Sequence, residues 1–330
     1  MNMHQINQLI SNFKFDESLT VIDNYVFVNL DWLTNRDYQS QGVNEIIFSA
    51  GQYPDSIFVF LIRDGVNCQL TGLGFVIETI VKNLQLNSET CYIYGYDDLK
   101  IPNTTFIELD VVQMWCSLIY QQLKNHQRVY APCNKKFAAL FGRHDLHRLK
   151  IVKYLHENYY DQSILSYNSA CGTWNARFET IFNDDKTWYQ KNCPIILDFD
   201  GSSGWVPYQQ SLQKITSHIN DYFLEIVCET DVYSNKFFTE KSLKNFFLKK
   251  PFILMSGKHS LRELQNRGFK TFSPWIDESY DNISCPNKRL QNIFREIDRL
   301  ASFSVEKVNQ LYAEMLPIFE HNEQNFLKFS

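Results

Sequence analysis

The chain has 330 residues, of which 44% are hydrophobic, 15% aromatic and 21% charged. This composition supplies enough apolar side chains for two folded domains and excludes a largely disordered protein. No apolar run reaches the roughly 20 residues of a membrane-spanning helix, and residues 1–8 lack the basic and apolar regions of a signal peptide. We therefore expect a soluble protein of the cytoplasm.

The first half of the chain alternates between strand-like and helix-like segments. β-Branched and aromatic residues predict strands at 21–22, 25–28, 45–49, 57–62 and 91–95. Helices are predicted at 76–84, where apolar residues recur at helical spacing, and at 111–123. Alternation of this kind predicts a parallel α/β layer.

The second half continues the alternation. Its predicted strands are 136–141, 163–167, 194–198, 222–228 and 251–255. Its predicted helices are 146–158, 174–182, 209–216 and 240–248, followed by C-terminal helices at 289–301 and 305–319. Asp145 and Thr239 are expected to cap two of these helices, because their side-chain oxygens can accept from the free amides of a first turn. The sequence predicts an N-terminal α/β domain over 1–127 and a C-terminal α/β domain over 128–330.

Cysteine usage bears on whether a metal site is present. The eight cysteines occur singly, with no Cys-x-x-Cys pair. This spacing favours buried free thiols over zinc ligands. We therefore predict no metal ligands.

Positive charge is concentrated in two windows, although the formal net charge is -5. Between Lys124 and Lys153 eight Lys and Arg stand against one acid, and between Lys236 and Lys270 nine stand against two, so each window carries +7. If the two windows face each other, they form a cleft that concentrates an anionic ligand. The alternative is that individual lysines lie on solvated helix faces.

The second window contains the most specific pattern of the chain. Thr239-Glu240-Lys241 opens a predicted helix after a strand and a polar loop. A helix N-terminus near the carboxyl end of a strand binds anions through its free amides and positive dipole, and lysines reinforce it. On these residues alone, an ordinary amphipathic helix with a solvated lysine face is an equal alternative.

Five segments of the second half resemble, in this order, a family of glycosyltransferases of phages and large viruses. They are Glu229-Thr230, Phe238–Lys241, Lys249–Leu254, Gly268–Phe272 and Trp275–Asp281. The Thr-Glu-Lys helix is similar to the donor-binding element of α-1,3-fucosyltransferases, and 141–148 resembles the arginine-rich turn of the viral family. The resemblance covers roughly residues 135–300. It implies two Rossmann-like domains in the GT-B arrangement with C-terminal helices, the nucleotide sugar in the C-terminal half and the acceptor at the N-terminal half.

The resemblance also implies a metal-independent site for a nucleotide diphosphate sugar, with a UDP-sugar as the expected donor and no further cofactor. The implied donor-site residues are Arg143, His147, Arg148, Glu229, Thr230, Thr239, Glu240, Lys241, Lys244, Ser256, Asp277, Glu278 and Tyr280. Arg143, Arg148 and Lys241 are expected to neutralise the leaving diphosphate. Glu240 is expected to accept from ribose or sugar hydroxyls, while Asp277, Glu278 and Tyr280 close over the base or the sugar.

An inverting transferase also needs a general base on the acceptor side. Asp64 follows a predicted strand and is the candidate base, and Glu240 is the other candidate catalytic residue. Asp64 precedes Gly65, however, and a turn is the more typical role of such a residue.

Several functions remain open at this level. The acceptor is either a hydroxylated base in phage DNA, which the basic windows favour, or a glycan or lipid-linked saccharide. Asp198 and Asp200 follow a predicted strand as in haloacid-dehalogenase phosphatases, where the first Asp is the nucleophile. A non-catalytic nucleic-acid-binding protein would use the same basic windows. The sequence names neither the sugar, the stereochemical outcome nor the oligomeric state.

Overall fold

A computed structural model of the protein describes residues 19–29, 40–61, 73–95, 100–108, 110–126, 132–142, 145–167, 183–197, 212 and 215–330. The chain divides into two compact units, Met1–Met114 and Trp115–Ser330. Both contain largely parallel sheets with helices, which confirms the predicted α/β class. The predicted boundary at 127–128 lies outside the described residues.

The first unit holds a five-stranded sheet in the order β1-β2-β3-β4-β5. Its strands are β1 (Leu19–Ile22), β2 (Tyr25–Asn29), β3 (Ile57–Leu61), β4 (Cys91–Gly95) and β5 (Thr105–Glu108). β1 and β2 are antiparallel, and every other neighbouring pair is parallel. The sequence prediction found all of them except β5.

Among the described residues, three helices begin before the end of this unit: α1 (Ser40–Ala50), α2 (Leu73–Asn83) and α3 (Val111–Leu123). Helix α1 shows that the strand predicted at 45–49 is wrong. Val43, Ile46, Ile47 and Ala50 all contact the hydrophobic core, whereas Phe48 is 75% exposed. Buried positions that recur every three or four residues are the pattern of a helix, and a short apolar run is ambiguous without it.

The second unit holds a four-stranded, fully parallel sheet in the order β7-β6-β8-β9. Its strands are β6 (Lys135–Phe141), β7 (Ser163–Tyr167), β8 (Tyr222–Cys228) and β9 (Phe252–Met255). β8 is buried along its whole length, as expected for a parallel strand covered on both faces. The segment predicted as a strand at 194–198 contributes one isolated bridge, from Ile195 to Tyr167.

Seven helices complete the described part of this unit, and the predicted C-terminal helices are among them. They are α4 (Leu146–Tyr159), α5 (Asn183–Asn192), α6 (Glu240–Phe247), α7 (Ser260–Asn266), α8 (Pro286–Ala301), α9 (Val305–Glu314) and α10 (Leu316–Leu327). None of the described helices combines the length and the apolar character that crossing a bilayer requires.

Helix α6 packs on β8, β9 and the last helix, α10. Phe246 stacks on Phe269 with ring centroids 4.2 Å apart, and Phe247 contacts Phe326 with centroids 5.3 Å apart. Asn322 on α10 accepts from the amide of Lys270 at 2.7 Å and donates to its carbonyl at 2.8 Å. The buried side of α6 is therefore fixed by aromatic contacts, and α10 is tied by hydrogen bonds to the segment that follows α7.

Candidate functional site at the carboxyl ends of β6, β8 and β9

The strand order of the second unit marks one edge of the sheet as a place for a ligand. The chain passes from β6 to β7 on one side and then returns to place β8 on the other side of β6. In open parallel sheets, ligands bind outside the carboxyl ends of the strands where the order reverses in this way. The segments at this point are Gly142 onward, after β6, and 229–239, which we call the β8–α6 loop.

Glu229 organises the β8–α6 loop from inside. Its side chain is fully buried, and its carboxylate accepts from the Thr239 amide at 3.0 Å, the Thr239 hydroxyl at 2.7 Å and the Ser242 hydroxyl at 2.7 Å. Bonds to an ionised acceptor are stronger than neutral ones. The structure thus gives Glu229, which was predicted to contact the donor, the role of fixing the start of α6.

The first turn of α6 follows the buried Thr239 and carries Glu240 and Lys241. Thr239 is its N-cap, as predicted, and accepts from the Lys241 amide. The Lys241 ammonium lies 3.1 Å from a Glu240 carboxylate oxygen, and both side chains are partly exposed, 28% and 20%. Burial raises the pKa of Glu240, but the charge and hydrogen bond of Lys241 outweigh it and leave the pKa below its ordinary value. The turn therefore presents one ionised acid and one cation, while the amides of Thr239 and Lys241 are already bonded within the fold.

Arg148 joins the carboxyl ends of β6 and β8. It lies in the first turn of α4 and is 1% exposed. Its guanidinium donates to the Cys228 carbonyl at 3.0 and 3.2 Å and to the Thr230 hydroxyl at 3.0 Å. Arg148 was predicted as a diphosphate ligand. In the structure it is a buried side chain whose hydrogen bonds hold Thr230 at the edge of the sheet.

The start of α4 carries a second carboxylate, Asp145, which is the N-cap, as predicted. It accepts from the His147 amide at 2.8 Å, and the His147 ring nitrogen lies 3.6 Å from the same oxygen. Burial raises the pKa of Asp145, but the hydrogen bonds and charge of His147, together with the charge of Arg148, outweigh it and lower the pKa to about 2. Asp145 is thus ionised across the physiological range, and His147 is held beside it.

Lys244, predicted as a donor-site residue, forms a buried ion pair between α6 and β8. Its ammonium lies 2.7 Å from both oxygens of Glu225 on β8 and donates to the Lys241 carbonyl at 2.8 Å. The two charged side chains are 2% and 4% exposed. This closed pair gives Lys244 a structural role between helix and sheet, and we leave it out of the proposed ligand contacts.

The β8–α6 loop lies directly against the turn that follows β9. The Gly257 amide donates to the Ser234 carbonyl at 3.1 Å, and a β-carbon added to Gly257 would lie 2.1 Å from that oxygen. Only glycine permits this approach. Ser256, a predicted donor contact, precedes Gly257 and is 1% exposed.

Arg289, which the sequence analysis did not single out, binds these two segments together. It is 1% exposed and donates to the carbonyls of Val232 and Ser256 as well as to that of Ile283. The carbonyls of Val232 and Ser256 belong to segments distant in sequence, whereas Ile283 lies just before α8. The only sequence signal is a charged residue on the apolar face of α8.

Asp277, Glu278 and Tyr280 lie along β9 and α8. The Asp277 amide donates to Glu296 at 3.1 Å, and the Leu254 amide donates to the Tyr280 hydroxyl at 3.2 Å. Glu278 accepts from the Phe272 amide at 2.7 Å, and burial raises its pKa to about 7. These contacts anchor the segment that was predicted to close over the base or sugar.

Many cations of the two basic windows are paired or buried within the fold. Lys250 is 5% exposed and donates to the Tyr222 carbonyl at 2.7 Å. The ion pairs formed by window residues are Lys153 with Asp185, Lys241 with Glu240, Lys244 with Glu225, Lys249 with Glu323, and Arg267 with Glu263. Three of these acids lie outside the windows, so the surface is less positive than the sequence indicates.

Four predicted residues lie outside the described residues: Asp64, Arg143, Asp198 and Asp200. Within the described ranges, no group of three or more His, Cys, Asp and Glu side chains is placed to hold a metal ion. Of the predicted donor residues, Glu240 and Lys241 are partly exposed at the start of α6, and Glu229 and Thr239 fix that start from buried positions. Arg148 holds Thr230 at the edge of the sheet.

The sequence matches no protein-family model, and none of the curated proteins matches it. The resemblance to viral glycosyltransferases therefore remains an expectation, based on the segments between Glu229 and Asp281.

Proposed function

We propose that this protein is a glycosyltransferase that moves a sugar from a nucleotide diphosphate sugar, with a UDP-sugar as the expected donor, to a hydroxyl acceptor. The donor site is proposed to lie at the carboxyl ends of β6, β8 and β9. The finer arrangement, two Rossmann-like domains of the GT-B type with the acceptor at the first unit, is part of the same proposal.

The observation that carries the proposal is the first turn of α6 at the reversal of strand order. Thr239 caps the helix, Glu229 fixes that cap from a fully buried position, and Lys241 stays partly exposed. A preorganised helix start with one partly exposed cation is suited to a diphosphate that gains negative charge as it leaves. Glu229 keeps the helix start in place, because its carboxylate accepts from both Thr239 and Ser242.

The chemical step balances without a further reactant. The acceptor oxygen forms a bond to the anomeric carbon while the bond from that carbon to the diphosphate oxygen breaks, and the electron pair of the broken bond stays on the diphosphate. The acceptor proton passes to a general base, for which Asp64 remains the candidate. Glu240, held ionised by Lys241, is suited to accept hydrogen bonds from ribose or sugar hydroxyls.

The pairing of cations within the fold bears on the acceptor. A protein that grips DNA needs several free cations along one surface, because phosphate contacts dominate affinity. Lys244, Lys249 and Arg267 instead face carboxylates, and Lys250 is buried against the Tyr222 carbonyl. This observation favours a small anionic ligand over a non-catalytic nucleic-acid-binding role, and among the proposed acceptors it favours a glycan or lipid-linked saccharide over DNA.

The test is binding of UDP, GDP and their sugar conjugates by thermal shift and calorimetry, because a ligand of the folded state raises its melting temperature. We expect one nucleotide diphosphate to bind, and Lys241→Met to weaken it at least tenfold. Lys307→Met is the matched control, since Lys307 lies on α9 and its ammonium contacts Gln310. Transfer is then measured as release of UDP or GDP with and without an acceptor. If no nucleotide diphosphate shifts the melting temperature, the proposal fails.

A further inference from the structure

One aromatic side chain of the β8–α6 loop is held in solvent by a rigid backbone. Tyr233 is 56% exposed, whereas Asp231, Val232 and Ser234 beside it are 2%, 4% and 8% exposed. The Asp231 carboxylate accepts from the amides of Tyr233 at 2.8 Å and Ser234 at 3.2 Å. The loop is thus fixed on both sides of Tyr233, and the ring is presented outward.

The loop is also clamped to the rest of the unit at both neighbours of Tyr233. The Val232 carbonyl accepts from Arg289 at 3.0 Å, and the Ser234 carbonyl accepts from the Gly257 amide at 3.1 Å. A flat ring on such a support loses little freedom when a ligand stacks on it. Stacking of a base on an aromatic side chain is a common source of affinity in nucleotide sites.

Two buried polar atoms in the adjacent turn lack hydrogen-bond partners among the described residues. They are the Ser256 hydroxyl and the His259 Nδ1 atom. Ser256 is 1% exposed, and His259 adopts a left-handed backbone conformation with φ of 67°. Buried polar groups are nearly always paired in native proteins, and an unpaired one calls for an explanation such as a ligand or a water molecule.

These observations meet at one place. Gly257 lies between Ser256 and His259 in the chain and contacts Ser234, the residue after Tyr233. Arg289 donates to the carbonyls of Val232 and Ser256, the residues that directly precede Tyr233 and Gly257. An exposed ring and two unpaired polar atoms therefore belong to two segments in direct backbone contact.

We propose that Tyr233, Ser256 and His259 form the nucleobase subsite of the donor site, which rests on the function proposed above. The face of the base stacks on the Tyr233 ring, and its polar edge pairs with the Ser256 hydroxyl and the His259 ring through rotation of these two side chains, while the clamped backbone stays in place. The β8–α6 loop carries Tyr233 at its middle and the α6 cap, Thr239, at its end. The base thus lies on the β9 side of the loop and the diphosphate at the first turn of α6.

The first experiment separates the base from the diphosphate. Calorimetry compares UDP, GDP and inorganic pyrophosphate on wild type, Tyr233→Ala, Tyr233→Phe and the control Tyr160→Ala, because Tyr160 is 59% exposed. We expect Tyr233→Ala to weaken the bound nucleotide about tenfold, on the order of one base stack, and to leave pyrophosphate unchanged. Tyr233→Phe keeps the ring and is expected to bind like wild type, as is Tyr160→Ala.

The second experiment uses Ser256→Ala, for which the two explanations of the unpaired hydroxyl, a ligand contact or a buried defect, predict different nucleotide affinities. An unpaired buried hydroxyl costs stability, so its removal is expected to raise the melting temperature of the free protein. If the ligand pairs with that hydroxyl, the same variant binds the nucleotide severalfold more weakly. A rise in melting temperature with unchanged nucleotide affinity would mean that the hydroxyl is only a buried defect, and it would remove Ser256 from the subsite.

The outcomes also separate the subsite from the function it rests on. If wild type binds neither nucleotide, both proposals fall. If wild type binds a nucleotide and Tyr233→Ala binds it equally well, the subsite is wrong and the glycosyltransferase proposal stands. If Tyr233→Ala weakens pyrophosphate as much as the nucleotide, the ring acts on the loop and not on the base, which also overturns the subsite.

Discussion

The buried pair of Lys244 and Glu225 gives the sharpest test of the site's architecture. In Lys244→Met the apolar stem of the side chain is retained while the charge is lost. Glu225, whose side chain is 4% exposed, then keeps its carboxylate without the ammonium 2.7 Å from both oxygens. Breaking one partner of a buried pair costs about 3–5 kcal/mol. Against a typical unfolding free energy of roughly 5–15 kcal/mol, this is a large loss.

The assay is urea unfolding followed by circular dichroism. The double variant Glu225→Leu with Lys244→Met is expected to unfold near the wild-type midpoint, because replacing both members of a buried pair by apolar residues is often neutral or stabilising. Lys241→Met is the comparison within the same helix. The partly exposed pair of Lys241 with Glu240 is worth about 1 kcal/mol or less, so this variant is expected to keep its stability. Because Lys241 is the proposed cation for the diphosphate, the variant is expected to lose nucleotide affinity.

Two results would refute this reasoning. The first is a free energy of unfolding for Lys244→Met within about 1 kcal/mol of wild type, which is the level of an exposed pair. The second is the same retained stability together with a loss of nucleotide binding. The second result would return Lys244 to the ligand contacts that the sequence resemblance implies.

Three further predictions concern separate parts of the second unit. Gly257→Ala is expected to destabilise the fold by several kcal/mol or prevent folding, since the new β-carbon meets the Ser234 carbonyl oxygen at 2.1 Å. Thermal melting measures this loss, and Gly142→Ala is the control, because a β-carbon at Gly142 meets open space. Burial raises the pKa of Glu278 from 4.5 to about 7. The folded state therefore binds the proton more tightly than the unfolded state, and the free energy of unfolding falls as pH rises from about 4.5 through about 7. Glu278→Gln is expected to remove up to roughly 3 kcal/mol of that decline, measured by urea unfolding at about pH 5 and about pH 8. Cys285 is exposed and its thiol pKa is lowered by backbone hydrogen bonds, so mass spectrometry after brief iodoacetamide treatment is expected to find it alkylated before Cys91 or Cys228, and equal labelling of all three would contradict this.

Local signals were sufficient to predict most elements of the second unit. The apolar runs of β6, β7, β8 and β9 and the caps Asp145 and Thr239 depend on neighbouring residues alone, and the structure contains them. The run at 45–49 was ambiguous because its three consecutive apolar residues, Ile46, Ile47 and Phe48, fit either period. Only the burial of Ile46 against the exposure of Phe48 decides for a helix.

The roles of charged residues were predicted less well, because they depend on partners far along the chain. Lys244 and Arg148 carry charges that suit a diphosphate, yet Glu225 and the Cys228 carbonyl bind them first. For Arg289 the sequence offered only a charge on the apolar face of α8, since two of its partners are backbone carbonyls of distant segments. A sequence pattern identifies which residues have the right chemistry, and the fold decides which of them remain accessible.

The packing of α10 on α6 has a consequence for the order in which the protein becomes competent. A chain is synthesised from its N-terminus, so α6 leaves the ribosome well before Asn322 and Phe326. In the folded protein Phe326 packs on Phe247 of α6, and Asn322 bonds the backbone of Lys270. Until then Phe247 and Phe269 lack their partners Phe326 and Phe329, and such exposed aromatic surface attracts chaperones and favours aggregation. The aromatic packing at the C-terminal end of α6 is thus completed only when the last helix docks. Fragments that stop before Leu316 are expected to be poorly soluble and unable to bind the donor, even though they contain every proposed donor contact.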